Sequence, residues 1–165
     1  MDHKHIVTYY GGEISDNNVF CVYLEYLSGG SIADLYKRYG RLGESICKQY
    51  TIQVIHALIY LHSKDVVHGD LKGANVLLTK GCEHIKLCDL GSSRLLEQEQ
   101  SWQSLKSVIN GTLAWMAPES YESKMGKKSD VWSLGCLVVE MLTGENPWGK
   151  RLEDGNAIIA LQRAL

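Results

Sequence analysis

Two kinds of apolar patterning divide the chain. Ile6–Tyr10 and Val19–Tyr26 are dense in β-branched and aromatic residues, with Gly11, Gly12 and the polar run Ser15–Asn18 between them. That composition predicts two strands joined by a turn. Ser28-Gly29-Gly30 ends the second strand, and Ser31 stands where a hydroxyl caps a short helix through Tyr39. From Glu44 to Ser63 the pattern changes. Ile46, Tyr50, Val54, Ala57, Leu58 and Leu61 recur at helical spacing and predict one long amphipathic helix. Val76–Leu78 and Ile85–Cys88 flank a polar turn, Thr79–Glu83, and read as a small hairpin.

Residues 91–128 show little periodicity and many Ser, Glu and Gln. A loop of that length inside a compact domain is usually functional or disordered. Ser129–Thr143 is apolar most of the way round (Val131, Trp132, Leu134, Leu137, Val138, Met141, Leu142), which predicts a deeply buried helix. Gly144 ends it and Pro147 prevents its resumption. A last helix is expected from near Asp154 to the final residue. The order of elements is α+β and mostly helical.

Composition adds mainly exclusions. A chain of 165 residues is the size of one domain with a sizeable core. No internal repeat or low-complexity tract divides it. A net charge of −2 gives no general attraction to nucleic acid or a membrane surface, so neither is an expected partner. No apolar run reaches membrane-spanning length, and MDHKHIV does not read as a signal peptide. Cys21, Cys47, Cys82, Cys88 and Cys136 form no CxxC pair and no Cys/His metal spacing, and read as reduced residues of a cytoplasmic protein. No pattern in the chain speaks to oligomeric state.

The chemistry concentrates in His68-Gly69-Asp70-Leu71-Lys72-Gly73-Ala74-Asn75 and Asp89-Leu90-Gly91. Asp70, in a turn between the long helix and the hairpin, can take or orient a hydroxyl proton as general base. Lys72 can neutralise charge on a transferring phosphoryl group. Asn75 and Asp89 offer hard oxygen ligands suited to Mg²⁺. Taken singly, Asp70, Asn75 and Asp89 read more readily as turn formers and caps. Taken together they do not: HxDxKxxN arises by chance on the order of once per thousand chains of this length.

These motifs resemble those of eukaryotic protein kinases of the Ser/Thr type. HGDLKGANVLL resembles the catalytic loop, DLG the metal-binding DFG, GTLAWMAPE (111–119) the end of the activation segment, and KSDVWSLGCLVVEMLTGENPW (128–148) the buried helix beneath the active site. LEYLSGGSIADLYKRYGRL is most similar to MEKK-like MAP kinase kinase kinases. The resemblance implies a protein-kinase-like fold, mostly the helical C-terminal lobe with two strands and the hinge of the N-terminal lobe. It implies ATP and Mg²⁺ as cofactors and phosphoryl transfer to a protein Ser/Thr hydroxyl, the substrate being a downstream MAP kinase kinase. Asp70 is then the catalytic base, Lys72 the phosphate-contacting lysine, and Asn75 and Asp89 the metal ligands. Leu24 would guard the back of the adenine pocket, Glu25, Tyr26 and Leu27 would form the hinge, and Leu77 the floor beneath adenine. Thr112 matches the threonine of Ser/Thr kinases, and Ser104 and Ser107 fall where activating phosphates are added. Glu119 would pair with a distant arginine, and Asp130 would accept hydrogen bonds from the catalytic-loop backbone.

The pattern departs from the family in four places. Gly69 stands for the arginine of HRD, which clamps an activation-loop phosphate. Leu90 stands for Phe. Ile109-Asn110 lengthen the loop by a residue, and Leu113-Ala114 replace Pro-Tyr. Nothing in the sequence matches the Gly-rich loop, the strand lysine or its glutamate partner. The expectation is therefore a partial kinase domain: 1–27 as remnant of the N-lobe and hinge, and 28–165 as a C-lobe lacking its last helices. A catalytically weak docking or regulatory module is the alternative.

Overall fold

The structure, a computed structural model, describes residues 2–90, 93–95, 113–122 and 124–148. Its first strand, β1 (Tyr9–Ile14), pairs antiparallel with β2 (Phe20–Leu24), from Tyr9 opposite Leu24 to Ile14 opposite Phe20. Strand β1 therefore lies later than the sequence pattern predicts, and Gly11 and Gly12 belong to it rather than to the turn. Gly11 sits at φ 153° where the register shifts between Tyr9 and Gly11, a bulge that favours glycine. A Cβ on Gly12 would meet the Cys21 carbonyl at 2.9 Å. The turn itself is Ser15–Asn18, closed by Asn18 N–H to the Ser15 carbonyl at 2.9 Å.

Ile6, assigned to that strand from its composition, instead packs against the hairpin of the helical part. β4 (Val76–Leu78) and β5 (Ile85–Leu87) form this hairpin as predicted. The Leu87 N–H donates to the His5 carbonyl and the Val7 N–H to the Leu87 carbonyl, both at 2.9 Å. Residues 5–7 thus run alongside β5, and Ile6 is buried in the core.

Helix α1 (Ile32–Tyr39) opens with a capping box: the Ser31 hydroxyl accepts from the Asp34 N–H, and the Asp34 carboxylate accepts from the Ser31 N–H. Helix α2 (Glu44–Ser63) has the predicted bounds and buries Cys47, Tyr50, Val54, Ala57, Leu58 and Leu61. Cys47, not Ile46, takes the first inward position, because it lies three residues before Tyr50 on the same face; Ile46 is exposed.

After α2 comes β3 (Val66–Val67), which pairs antiparallel with β6 (Arg94–Leu95). A two-residue strand carries no periodicity, so β6 was invisible within the stretch read as loop.

Helix α3 (Lys127–Thr143) begins two residues earlier than predicted and ends at Gly144, whose φ of 72° is the left-handed C-cap. It is not buried all round. Its inward residues are Ser129, Asp130, Ser133, Cys136, Leu137, Glu140 and Met141, while Val131 is 61 % exposed. Polar side chains occupy the inner face because neighbouring loops bring unpaired backbone donors to it. The core joins α2, α3, the β4–β5 hairpin and Ile6. The expected final helix from Asp154, and Thr112, Ser104, Ser107 and Gly91, lie outside the described residues.

Candidate active site

The loop between β3 and β4 is held from beneath by α3. Asp130, almost fully buried, accepts the His68 N–H through Oδ2 and the Gly69 N–H through Oδ1, each at 2.9 Å. This is the backbone anchoring expected of it. His62 at the end of α2 adds a third bond, Nε2 to Asp130 Oδ2 at 2.7 Å. Gly69 sits at φ 79°, a left-handed conformation that suits glycine.

His68 is wholly buried. Its Nδ1 accepts the Asp70 N–H at 3.2 Å, so the proton resides on Nε2, which donates to the Cys88 carbonyl at 3.2 Å. Burial lowers the His68 pKa against the pull of Asp130 and Asp70, which keeps the ring neutral.

Asp70 faces inward from this turn. Its Oδ2 receives Lys72 Nζ at 2.8 Å and Asn75 Nδ2 at 2.9 Å. Its Oδ1 is buried and has no hydrogen-bond partner among the described residues. The Asn75 amide nitrogen also donates to the Asp70 carbonyl at 2.8 Å. Both of these partners can only accept, so the amide orientation is fixed, and Oδ1 of Asn75 accepts no hydrogen bond among the described residues.

The short 3₁₀ turn Gly73–Asn75 leads into β4. The Cys88 N–H donates to the Asn75 carbonyl at 3.0 Å and so ties the end of β5 to the same loop. Asp89 follows at once, exposed and at φ 58°. Burial first, then Asp89 and Asp70, pushes the Cys88 thiol up to about 11.

Sequence reasoning missed one support of this loop. Glu140 of α3, buried, accepts the Gly73 N–H at 3.0 Å, the Tyr36 hydroxyl at 2.7 Å and Trp115 Nε1 at 2.7 Å. It joins α1, the catalytic loop and the segment after residue 112. Burial raises its pKa although three donors pull the other way. A Cβ on Gly73 would lie 2.8 Å from Glu140 Oε1, so glycine there is a packing requirement. The available signal was an acid within the apolar second half of the helix, Leu134–Leu142. Glu119, expected to meet an arginine, accepts the Ser129 hydroxyl at 2.9 Å.

The hinge residues follow β2. The Glu25 carboxylate is engaged by Lys86 Nζ at 2.7 Å and the Thr8 N–H at 3.1 Å. The Lys86 bond, as the largest cause, holds its pKa below the usual carboxylate range. Its side chain is thus committed to β5 and its N–H to the Thr8 carbonyl at 2.9 Å, which leaves its carbonyl as the part able to meet a ligand. Leu24 is 51 % exposed at the end of β2, Leu27 is half-buried, and Leu77 is half-buried on β4 between fully buried Val76 and Leu78. Leu77 also forms a bridge with Ser31, which joins the start of α1 to this strand.

A carboxylate and an amide oxygen fit Mg²⁺, which is commonly held by one or two protein oxygens with water and substrate phosphates completing the shell. Oδ1 of Asn75 and the exposed carboxylate of Asp89 meet that description.

A buried helix holding a loop of this composition, above a hairpin that carries a second acid, is the architecture of a protein kinase catalytic lobe. The chain matches the protein kinase domain family over residues 1–164 and belongs to it. It is 42 % identical over 152 residues to the serine/threonine-protein kinase BCK1/SLK1/SSP31 of Saccharomyces cerevisiae, covering 90 % of this chain and 10 % of that protein. It is 43 % identical over 154 residues to mitogen-activated protein kinase kinase kinase 3 of Mus musculus, covering 91 % and 24 %. Against mitogen-activated protein kinase kinase kinase YODA of Arabidopsis thaliana it is 41 % identical over 152 residues, covering 91 % and 16 %. The chain thus spans between a tenth and a quarter of the length of these relatives.

Proposed function

We propose that this segment carries the phosphoryl-transfer machinery of an ATP-dependent protein serine/threonine kinase in a MAP kinase cascade, acting on a downstream MAP kinase kinase. The observation that carries the reading is the Asp70 carboxylate, held at Oδ2 by Lys72 and Asn75 while buried Oδ1 has no partner among the described residues. A substrate hydroxyl gives its proton to Oδ1. Its oxygen bonds the γ-phosphorus as the bond to the β-phosphate oxygen breaks, and ADP leaves with the electron pair. Lys72 offsets charge on the transferring group, and Asn75 and Asp89 hold Mg²⁺. Held by these two residues, Mg²⁺ would supply positive charge to offset the negative charge of the phosphates. The hinge backbone at Glu25 and Leu27 takes the adenine edge, with Leu24 and Leu77 supplying the apolar surround.

The names of the relatives support the Ser/Thr and cascade assignments. A cytoplasmic location is part of the proposal, supported by five free cysteines. Among the described residues no helix is long and apolar enough to cross a membrane.

The test is transfer of labelled γ-phosphate from ATP–Mg²⁺ to a MAP kinase kinase by the protein containing this segment, followed by phosphoamino-acid analysis. Label on serine or threonine is expected. Label on tyrosine alone, or binding of the substrate without transfer, would overturn it.

A further inference from the structure

The outer side of α2 carries a feature that phosphoryl transfer does not use. A groove runs between residues 4–5, α2 and the β4–β5 turn, lined in part by Lys4, His5, Ile52, His56, His84 and Lys86. No aspartate or glutamate is among its described lining residues. The His5 ring packs 6.2 Å from His56 and 6.5 Å from His84, so the cationic and imidazole groups are drawn together from three elements. Lys4, His56 and His84 are exposed and open to a ligand, whereas Lys86 shares its charge with Glu25. Gln53 braces the wall by accepting the Ile85 N–H at 2.9 Å and donating to the Glu83 carbonyl at 3.0 Å.

An apolar stripe continues from this groove. Ile52, Ile55 and Ile59 are 43 %, 38 % and 62 % exposed. At about 100° per residue they fall on one side of α2 together with His56. The inward positions of the helix are filled by other residues, and these isoleucines are not among the core residues. A row of exposed branched side chains beside a polar rim is the usual mark of a docking surface.

We propose that this surface binds an acidic segment of a partner protein that also carries apolar side chains. Its carboxylates lie against Lys4, His56 and His84, and its apolar side chains lie on Ile52, Ile55 and Ile59. Charge complementarity selects that partner over a basic one. The isoleucine stripe favours a peptide over a nucleic acid, whose phosphates would have no use for it.

The test is a fluorescence-anisotropy titration of a labelled peptide rich in Glu and Leu against the whole protein. Parallel probes are the same peptide with Gln for every Glu, and a single-stranded oligonucleotide. The Glu-Leu peptide is expected to saturate, to weaken as salt is raised, and to lose about tenfold in affinity with Lys4→Glu plus His84→Glu. A similar loss is expected with Ile55→Ser plus Ile59→Ser. Equal binding by the Gln peptide, undiminished binding by the variants, or tighter binding of the oligonucleotide would overturn the proposal. The salt series uses the unaltered protein, so it decides even where a variant folds poorly. The titration contains no nucleotide and is independent of the phosphoryl-transfer reading.

Discussion

Gly69 shows how one residue separates regulation from architecture. Its position was legible in the sequence as the site of a missing arginine, but the physical reason glycine suits it was not, because a φ of 79° is a property of the folded loop. The catalytic-loop anchor uses only its backbone N–H, donated to Asp130. Gly69→Ala is therefore expected to lower stability by about 1 kcal/mol, measured by denaturant unfolding, with little effect on the Asp70 site. Restoring the family's arginine incurs the same backbone cost. Asp70, Lys72 and Asn75 were legible because their spacing is short and the loop brings them together locally. Glu140 was not, since its partners Tyr36, Gly73 and Trp115 come from three distant parts of the chain.

At the scale of elements, helices α1 and α2 and the β4–β5 hairpin followed from capping and periodicity alone. Strand β1 did not, because its glycines mark a bulge and a close strand approach rather than a turn. The α3 helix was legible in extent, but its inner face was not, because the polar groups there answer to loops rather than to the core. Asp130 is the strongest case, with two backbone donors and His62 converging on one buried carboxylate. Asp130→Ala is expected to cost about 3–5 kcal/mol in thermal or denaturant unfolding, because it strands buried donors.

The docking of residues 2–7 carries a pH dependence of definite sign. Burial lowers the pKa values of His3 and His5 below the ordinary histidine value, and Lys4 and His56 act in the same direction on both. Asp2 opposes the shift at His3, and the Ile85 carbonyl opposes it at His5. His84 also faces His5, and Lys86 and Glu25 lie beyond it. Folded values below the unfolded one mean that the unfolded segment binds more protons as pH falls. The stabilisation is thus present above about pH 6.5 and is lost on acidification below it. Exchange of the Val7 and Leu87 amide hydrogens, corrected for intrinsic rates, is expected to lose protection over that window, and His5→Gln to flatten the trend. Protection that rises on acidification would contradict this account.

At the scale of the whole molecule, the inner face of one helix serves both the fold and the candidate site. α3 joins α2 and the hairpin in the core, and through Asp130 and Glu140 it also sets the loop that aims Asp70. The family was legible because its motifs are local strings of residues. The three-element groove on the outer side of α2 was not, because no motif spans Lys4, His56 and His84. The proposed role of Asp70 is that of base in a phosphoryl transfer. The most direct measurement compares the protein containing this segment with its Asp70→Asn variant, using transfer of labelled γ-phosphate and calorimetric ATP–Mg²⁺ binding side by side. The variant is expected to lose about a thousandfold in transfer rate while nucleotide affinity changes by less than about threefold. Transfer that persists at the unaltered rate would contradict that role.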